Sequence, residues 1–554
     1  MEKRDRKDDD PKRAPDPKAA ESGAKAEPEP ASDEHEGDAE AAEEDEGEGE
    51  GAAPARTARA IPTEPTPVGD VNELVLQARK AQVEWAAKPI AERIDAMLQL
   101  KRRALRQAEE LANVVRKETG KPFEEALLAD VLPTADVVDY WTDSIEELIE
   151  GTTLELGAVM FPGKLGRVHR DPRGVIAVIT PWNYPLAIAL RTIVPALLCG
   201  DAVVFKPSEV TPRSGARLAS LFEGLLPEGV LTVVQGGPEV GAALVASPVD
   251  LVVFTGGVRA GRAVARSCAE RFVPCSLELG GKDAAIVLKD CNLERAARGI
   301  VWGAFNNAGQ NCASIERVYV EKAIAEAFIQ RVVELTKKLQ AGRDVAELTT
   351  TGQRKVVATQ LREAVASGAE ILCGGPPSDD SKSTPPTVVR VHDDDAALMR
   401  DETFGPVLPI HVVADVDEAI ERANDCRYAL STSLWTRRTA WAHGLSPRLR
   451  SGVVTINNHG FTPVIAAAPW TGPGETGGGI TNSPHALATL TRVRFVLEDR
   501  SRARREVWWY PYTPLLRMLV LALIAVRGGA GLFGRIVAFF RLVLGVPKRT
   551  FGDD

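Results

Sequence analysis

Between residues 174 and 256 four short β-branched runs recur: GVIAVIT (174–180), AVVFKP (202–207), LTVVQG (231–236) and LVVFTG (251–256), each followed by a helix-compatible stretch. Alternation of this kind predicts an open, mainly parallel α/β sheet, which presents its ligand contacts at the C-terminal ends of its strands. A second region of the same texture runs from about Ser276 to Thr455. Ahead of the first run, apolar residues at helical spacing extend from Val71 until Gly120 and Pro122 interrupt them, and a further helical stretch covers roughly 124–150. The segment 152–174 alternates and turns at Pro162-Gly163, as a β-hairpin does.

The two ends differ from this middle. Residues 1–67 are Pro, Ala, Glu, Asp and Lys with almost nothing large and apolar, a composition too poor in burial to offset its ordering entropy, so a disordered acidic head is expected. Eleven carboxylates and no Lys or Arg lie within 31–50, which accounts for most of the net charge of −10 and argues against nucleic acid as a partner. The first thirty residues contain no apolar core segment, and the seven cysteines form no C-x-x-C pair or even framework; a reducing cytoplasm is the expectation. The scattered histidines give no metal-ligand spacing, so no metal is expected.

At the other end, apolar stretches at 515–526 and 532–546 flank a Gly-rich break, with Arg517, Arg527, Arg535 and Arg541 spaced through them and Trp508, Trp509, Tyr510 and Tyr512 ahead. Each stretch is shorter than the ~20 residues a spanning helix needs. Aromatic residues, basic flanks and short apolar helices together predict a peripheral or monotopic membrane contact over 508–546; a helical pair docked on protein is the alternative.

Four segments carry chemistry. In LVVFTGGVRAGRAVAR (251–266) a strand enters a glycine turn and then a helix, which lets backbone approach a pyrophosphate at a helix N-terminus; a plain βα turn looks the same. In AVVFKPSE (202–209) a Lys and a Glu at a strand end are suited to ribose hydroxyls, although such residues are also ordinary surface. In SLELGGKDAAIV (276–287), Glu278 lies between two leucines; an apolar setting raises a carboxyl pKa toward what a general base needs, and a buried ion pair is the plainer reading. In NNAGQNCAS (306–314) a small turn places Cys312 beside amide side chains and before a helix-compatible stretch, where local dipoles would favour a nucleophilic thiolate; most cysteines are merely buried.

The ordered set PWNYP (181–185), KPSE (206–209), FTGG (254–257), LELGGK (277–282), GQNC (309–312) and ETFGP (402–406) resembles the aldehyde dehydrogenase superfamily. The resemblance runs from about Val71 to Phe495 and includes PWTGPGETGGGIT. It implies a Rossmann-like cofactor domain, an α/β catalytic domain and a small β oligomerisation element. By position these would be 68–151 with 172–275, then 276–484, and 152–171 with 485–499, leaving 500–554 as a membrane-associating tail. The implied reaction is NAD(P)-dependent oxidation of an aldehyde to an acid, in a homodimer or homotetramer.

The motifs transfer roles residue by residue. Cys312 is implied as nucleophile, Asn183 as oxyanion donor and Glu278 as the base that activates water. The implied cofactor contacts are Trp182, Lys206, Ser208, Glu209, Gly256, Gly257, Gly261, Leu279, Glu402 and Phe404. Glu209 favours NAD, because a carboxylate repels a 2′-phosphate, while Lys206 keeps NADP in play. Gly257 departs from the family's usual Ser and removes one expected pyrophosphate hydrogen bond. Substrate walls are implied at Tyr184, Asn311, Ala313 and Phe461; Arg191 stands where succinate-semialdehyde members of the family carry an arginine for the substrate carboxylate, a helix-surface or structural arginine being the alternative, whereas the tail points to a lipophilic aldehyde. Two alternatives remain: a CoA-acylating enzyme, against which Glu278 speaks, and a silent membrane-tethered scaffold, against which all three retained catalytic positions speak.

Overall fold

The computed structural model describes residues 63–157, 161–377, 383–460 and 462–552, all within the unit that runs from Ala58 to Asp554. The acidic head expected over 1–67 therefore falls, up to residue 62, outside the described residues.

A hairpin of β1 (Thr152–Leu154) and β2 (Lys164–Pro172) opens the strand order. It pairs Thr152 with Val168 and Leu154 with Gly166, and Lys164 N donates to the Phe161 carbonyl at 3.2 Å across the turn at Pro162-Gly163; residues 158–160 lie outside the described residues. Then come β3 (Val175–Ile179), β4 (Ala202–Lys206), β5 (Leu231–Val233), β6 (Leu251–Thr255) and β7 (Cys275–Glu278). They make a parallel sheet in the order β7-β6-β3-β4-β5.

This sheet is double-faced. Ile176, Val178, Val203, Phe205, Leu251 and Val253 pack on one side with Met97, Leu100, Trp141, Leu190 and Leu197. Their neighbours Val175, Ala177, Ala202, Val204 and Val252 pack on the other with Val71, Val75, Val240 and Leu244. The period-two alternation of a strand thus meets apolar helices on both faces, which is why these runs read as continuously hydrophobic.

The second region supplies β8 (Asp283–Val287), β9 (Ile315–Glu321), β10 (Glu370–Cys373), β11 (Thr387–Val391), β12 (Val407–Val413), β13 (Ser431–Trp435) and β14 (Val453–Ile456). They form a seven-stranded sheet, β10-β11-β12-β9-β8-β13-β14, parallel except for the β10–β11 pair. The chain then returns: β15 (Gly477–Gly478) pairs antiparallel with β7, and β16 (Thr491–Asp499) pairs antiparallel with the full length of β2. Beyond it, helices Pro514–Ile524 and Leu532–Phe551 pack on each other, Gly545 lying against Leu519. Among the described residues no helix is long and apolar enough to cross a membrane.

Candidate active site

The parallel register brings the sequence motifs to one edge. Ile179 of β3 is flanked by Lys206 of β4 and Phe254 of β6, and Thr255 of β6 pairs with Glu278 of β7. The C-terminal ends of these strands are therefore adjacent, and each runs directly into a motif: PWNYP after β3, KPSE across the end of β4, FTGG across the end of β6, LELGGK across the end of β7. Strand carbonyls and the helix N-termini that follow make such an edge a site for anionic, polar ligands.

Glu278 is held between two backbones. Gly256 donates its N–H to the Glu278 carbonyl at 3.0 Å on one side. On the other, Gly477 pairs with it in left-handed backbone (φ 126°), and a Cβ there would overlap the carbonyl of Leu277. The side chain is buried, and among the described residues Oε1 has no hydrogen-bond partner. Burial pushes the carboxyl up to about 8, with the charge of Arg191 opposing that shift. The expected base-like environment is present.

Cys312 lies at the end of a turn built from left-handed residues, Asn307 (φ 49°), Ala308 (φ 55°) and Gly309 (φ 69°). Two of these are not glycine, and side-chain bonds hold them there. Asn307 Nδ2 donates to the carbonyls of Asn183 (3.1 Å) and Gln310 (3.0 Å), and Gln310 Nε2 donates back to the Asn307 carbonyl at 3.0 Å. The residues after Cys312 enter β9; the helix-compatible reading there is corrected, because β-branched Ile315, Val318 and Val320 are needed by the sheet. Nor is the thiol acidified. Burial pushes it up to about 12, and among nearby charges Arg191 favours the anion while Asp283, Glu402 and Glu278 oppose it. The dipoles of the turn do not overcome desolvation. Cys312 itself is only part-buried.

Asn183 meets the same turn, its Nδ2 donating to the Gln310 carbonyl at 3.1 Å while Oδ1 has no partner among the described residues. Its own carbonyl accepts from Lys121 Nζ at 2.7 Å, and Lys121 also pairs with Asp130 at 2.8 Å, both side chains fully buried. Asp130 Oδ1 in turn accepts the Leu186 N–H at 3.2 Å. Lys121 stands 4.2 Å from the centre of the Tyr184 ring, and the Tyr184 hydroxyl donates to Asn306 Oδ1 at 3.1 Å. Lys121, Asp130 and Asn307 were not singled out by sequence. Their only signals are the basic residue in ETGKP and a doubled Asn ahead of the cysteine motif.

A second loop closes on the first. Gly281 donates its N–H to Glu402 Oε1 at 3.1 Å, and a Cβ on Gly280 would fill the space of that carboxylate. Burial pushes Glu402 up to about 8. Buried Glu316 fastens the loop by accepting from Thr403 N (2.7 Å), Phe404 N (2.8 Å) and Lys282 Nζ (2.7 Å). Phe404, at φ 46°, meets Trp182 edge-on with ring centres 5.7 Å apart.

The remaining predicted positions are placed as follows. Lys206 and Glu209 pair at 3.5 Å, and burial pulls the Lys206 ammonium below its ordinary pKa. Ser208 is buried and accepts from Val210 N at 3.2 Å. Leu279 packs on Gly261 so closely that a Cβ there would collide with it. Gly257 caps the helix Val258–Glu270 without a side-chain bond, and a Cβ there would meet nothing within 4 Å. Ala313 is buried with Leu430, Val453 and Trp470 behind the thiol, its N–H bonded to Asn311 Oδ1 at 3.1 Å. Arg191 makes one hydrogen bond among the described residues, to the Pro463 carbonyl at 3.4 Å, and it feels the charges of both Glu278 and Cys312. Phe461 lies outside the described residues.

These features fit a dinucleotide. Glycine-only approaches at 256 and 280, an uncapped helix start at 257, a Lys–Glu pair for a ribose and an aromatic pair beside Glu402 are the parts such a cradle needs. The comparisons agree. The family model described as "Aldehyde dehydrogenase family" matches residues 45–496. The 4,4'-diapolycopene aldehyde oxidase of Methylomonas sp is 34% identical over 448 residues, covering 80% of this chain and 84% of that protein. A Mycobacterium ulcerans (strain Agy99) protein named, by inference, succinate-semialdehyde dehydrogenase (NADP(+)) 2 is 33% identical, covering 81% of this chain and 89% of its own. The NAD+ complex of an aldehyde dehydrogenase from Bacillus cereus superposes with a TM-score of 0.76 at 31% identity, over 79% of this chain and 90% of that one.

Two outcomes are expected. Gly281→Ala places a methyl on the Cys312 carbonyl oxygen, so it displaces the thiol turn; activity should fall at least a hundredfold with the far-ultraviolet circular dichroism unchanged. Lys121→Met strands a buried carboxylate and should cost about 3–5 kcal/mol, read as a lowered denaturant midpoint, whereas Lys121→Met with Asp130→Leu should regain most of it.

Proposed function

This chain belongs to the aldehyde dehydrogenase family and oxidises an aldehyde with NAD(P), and we propose that Cys312, Asn183 and Glu278 carry that reaction. The observation behind the assignment is that the Cys312 turn, the Asn183 loop and the buried carboxyl of Glu278 converge on one strand edge beside the dinucleotide cradle. In this reading 68–151 and 172–275 hold the cofactor, 276–484 supply the thiol, and 152–171 with 485–499 serve association of subunits.

The Cys312 sulfur attacks the aldehyde carbon. Its proton passes to water in the site, and from there to solvent, as the carbon–sulfur bond forms, because a thiol near 12 is barely ionised at neutral pH. The oxyanion of the tetrahedral thiohemiacetal receives hydrogen bonds from Asn183 Nδ2 and from the backbone N–H of Cys312, each such donor contributing about 3 kcal/mol. NAD(P), bound along the cradle, supplies the acceptor for the hydride that leaves the same carbon. The product on the sulfur is a thioester. Glu278, held near 8 by burial, takes a proton from water, whose oxygen displaces the sulfur and releases the acid.

Two observations bear on substrate. Arg191, with a single long hydrogen bond among the described residues and within the field of Cys312 and Glu278, suits a substrate carboxylate and favours a semialdehyde, as does the name of the Mycobacterium relative. The Methylomonas relative is named for 4,4'-diapolycopene aldehyde, and the exposed apolar tail favours a lipophilic substrate. The Glu209 carboxylate favours NAD over NADP. The apolar residues that β16 leaves exposed, Val493, Phe495 and Leu497, support a homodimer or homotetramer. We place the protein in the cytoplasm with the C-terminal tail against a membrane surface.

Cys312→Ala should abolish NADH formation with every aldehyde. Glu278→Gln should leave a burst of one NADH per site followed by slow turnover, with the acyl adduct visible by mass; a steady wild-type rate would remove Glu278 from the role. Because the base is the ionised form, the hydrolytic rate should climb with pH and level off above about 8. Arg191→Leu should raise KM for succinate semialdehyde at least tenfold and leave an uncharged aldehyde of similar length unaffected; equal effects on both would assign Arg191 to structure.

A further inference from the structure

The residues after β16 lie wholly beyond the family match, which ends at 496, and they form a separate device. Between Val507 and Gly552 there are six cations (Arg517, Arg527, Arg535, Arg541, Lys548 and Arg549) and no carboxylate side chain. The same stretch exposes large apolar groups: Leu521 at 60%, Leu532 at 78%, Phe533 at 80%, Phe540 at 58% and Leu544 at 75%. A water-facing helix pair would carry polar residues there.

The arrangement on the second helix is specific. Ala538, Gly545 and Arg549 form the narrow face turned inward, with Gly545 against Leu519 of the first helix. Phe533, Val537, Phe540, Leu544 and Phe551 recur at steps of four, three, four and seven, one continuous outer stripe at helical period. Exposed Arg541 and Lys548, seven apart, border that stripe on one side, and Arg535 lies toward the other flank of the inner face. The first helix repeats the pattern with exposed Val520, Leu521 and Ile524 in line with Arg517. Exposed Trp508, Trp509, Tyr510 and Tyr512 stand just ahead of that helix. A broad apolar face edged by cations, with amphipathic aromatic residues beside it, matches a helix lying in the headgroup region: the apolar side chains reach the acyl boundary and the cations extend to phosphates.

The hairpin is also fixed to the body. Arg549 donates through Nη2 to the carbonyls of Trp509 and Pro511 (the latter 2.7 Å), Arg505 Nε donates to the Arg549 carbonyl at 2.7 Å, and Arg504 N bonds the Thr550 carbonyl at 3.0 Å. The linker is pinned to β2 by Lys164, which pairs with Glu506 and, at 2.9 Å, with Asp499. Arg549 is buried and spent internally; Arg535 stays exposed although its Nε donates to the Ala530 carbonyl at 2.9 Å, and Arg517, Arg527, Arg541 and Lys548 are exposed as well.

We propose that 508–551 is a monotopic module that lies in the plane of an anionic bilayer, recognising acidic phospholipid headgroups through Arg517, Arg527, Arg535, Arg541 and Lys548. This sharpens the membrane reading made above and rests on it, but not on the assigned chemistry. Charge complementarity selects this occupant over a second copy of the chain, since two such faces would bring ten cations together without a counter-charge.

The test is sedimentation of full-length protein with vesicles of phosphatidylcholine alone or with 30% phosphatidylglycerol, NADH formation from a water-soluble aldehyde being followed in the same samples. Binding should need phosphatidylglycerol and weaken as salt rises. Arg535→Gln with Arg541→Gln should lower the partition coefficient about 25-fold, roughly fivefold per cation. Phe540→Glu with Leu544→Glu should abolish binding, and neither pair should alter turnover of the soluble aldehyde. Equal binding to neutral and acidic vesicles, or none to either, overturns the proposal. So does an apolar-face pair that keeps vesicle binding but changes the oligomeric state, which would assign the face to another subunit. Loss of turnover in the wild-type samples would instead count against the catalytic reading alone.

Discussion

Backbone packed against backbone around one sulfur is the constraint on which the rest of this site depends. The Cys312 carbonyl lies where a Cβ of residue 281 would be, and the Gly405 carbonyl where one of residue 309 would be. The three loops that carry the thiol, the LELGGK glycines and the ETFGP motif are thus stacked with less than a methyl group between them. Glycine is required at these positions because of what lies opposite, whereas at Asn307 and Ala308 the chain accepts left-handed backbone and holds it with amide bonds. A scaffold this tight sets the thiol relative to Asn183 and Gly281 before any ligand arrives, which is the state that catalysis by orientation requires.

The electrostatics follow from the same packing. Close loops exclude water, and exclusion raises Glu278 and Glu402 together, each to about 8, while it suppresses ionisation of Cys312. A raised carboxyl and a reluctant thiol are therefore produced by one cause. Arg191 is the counterweight, the cation whose field favours both anions. Below this layer, Lys121 and Asp130 form an ion pair with no exposure whose remaining bonds go to the PWNYP backbone and the start of the next helix. Their charges are tied up in positioning. Among the described residues neither raised carboxyl makes an ion pair, and Glu402 accepts the Gly281 N–H.

Much of the fold was legible because parallel strands buried on both faces read as uninterrupted apolar runs, as 174–180 and 251–256 do. Motif order then placed the site residues on one edge, since register follows from strand position. What the sequence concealed was non-local. Nothing near Lys121 announces that its ammonium reaches the Asn183 carbonyl sixty-two residues on, nor does Glu316 show that it will accept the amides of 403 and 404. The thiol was misjudged for a related reason: local dipoles can be read from a turn, whereas desolvation belongs to everything packed around it. The same blindness made the segment after Cys312 look helical, although the demand of neighbouring β8 and β12 for a central strand prevails.

The arginine clasp at the base of the terminal hairpin has a mechanical meaning. With Arg504, Arg505 and Arg549 bonded across the junction and Lys164 fastening the linker to β2, the hairpin is joined to the body as a bracket, without a slack leash. Whatever holds the bracket sets the heading of the whole molecule, so the mouth of the cleft would keep one constant bearing and not sweep through all directions. For a reactant that arrives from a plane, encounter becomes a matter of lateral travel toward an opening whose azimuth is already decided.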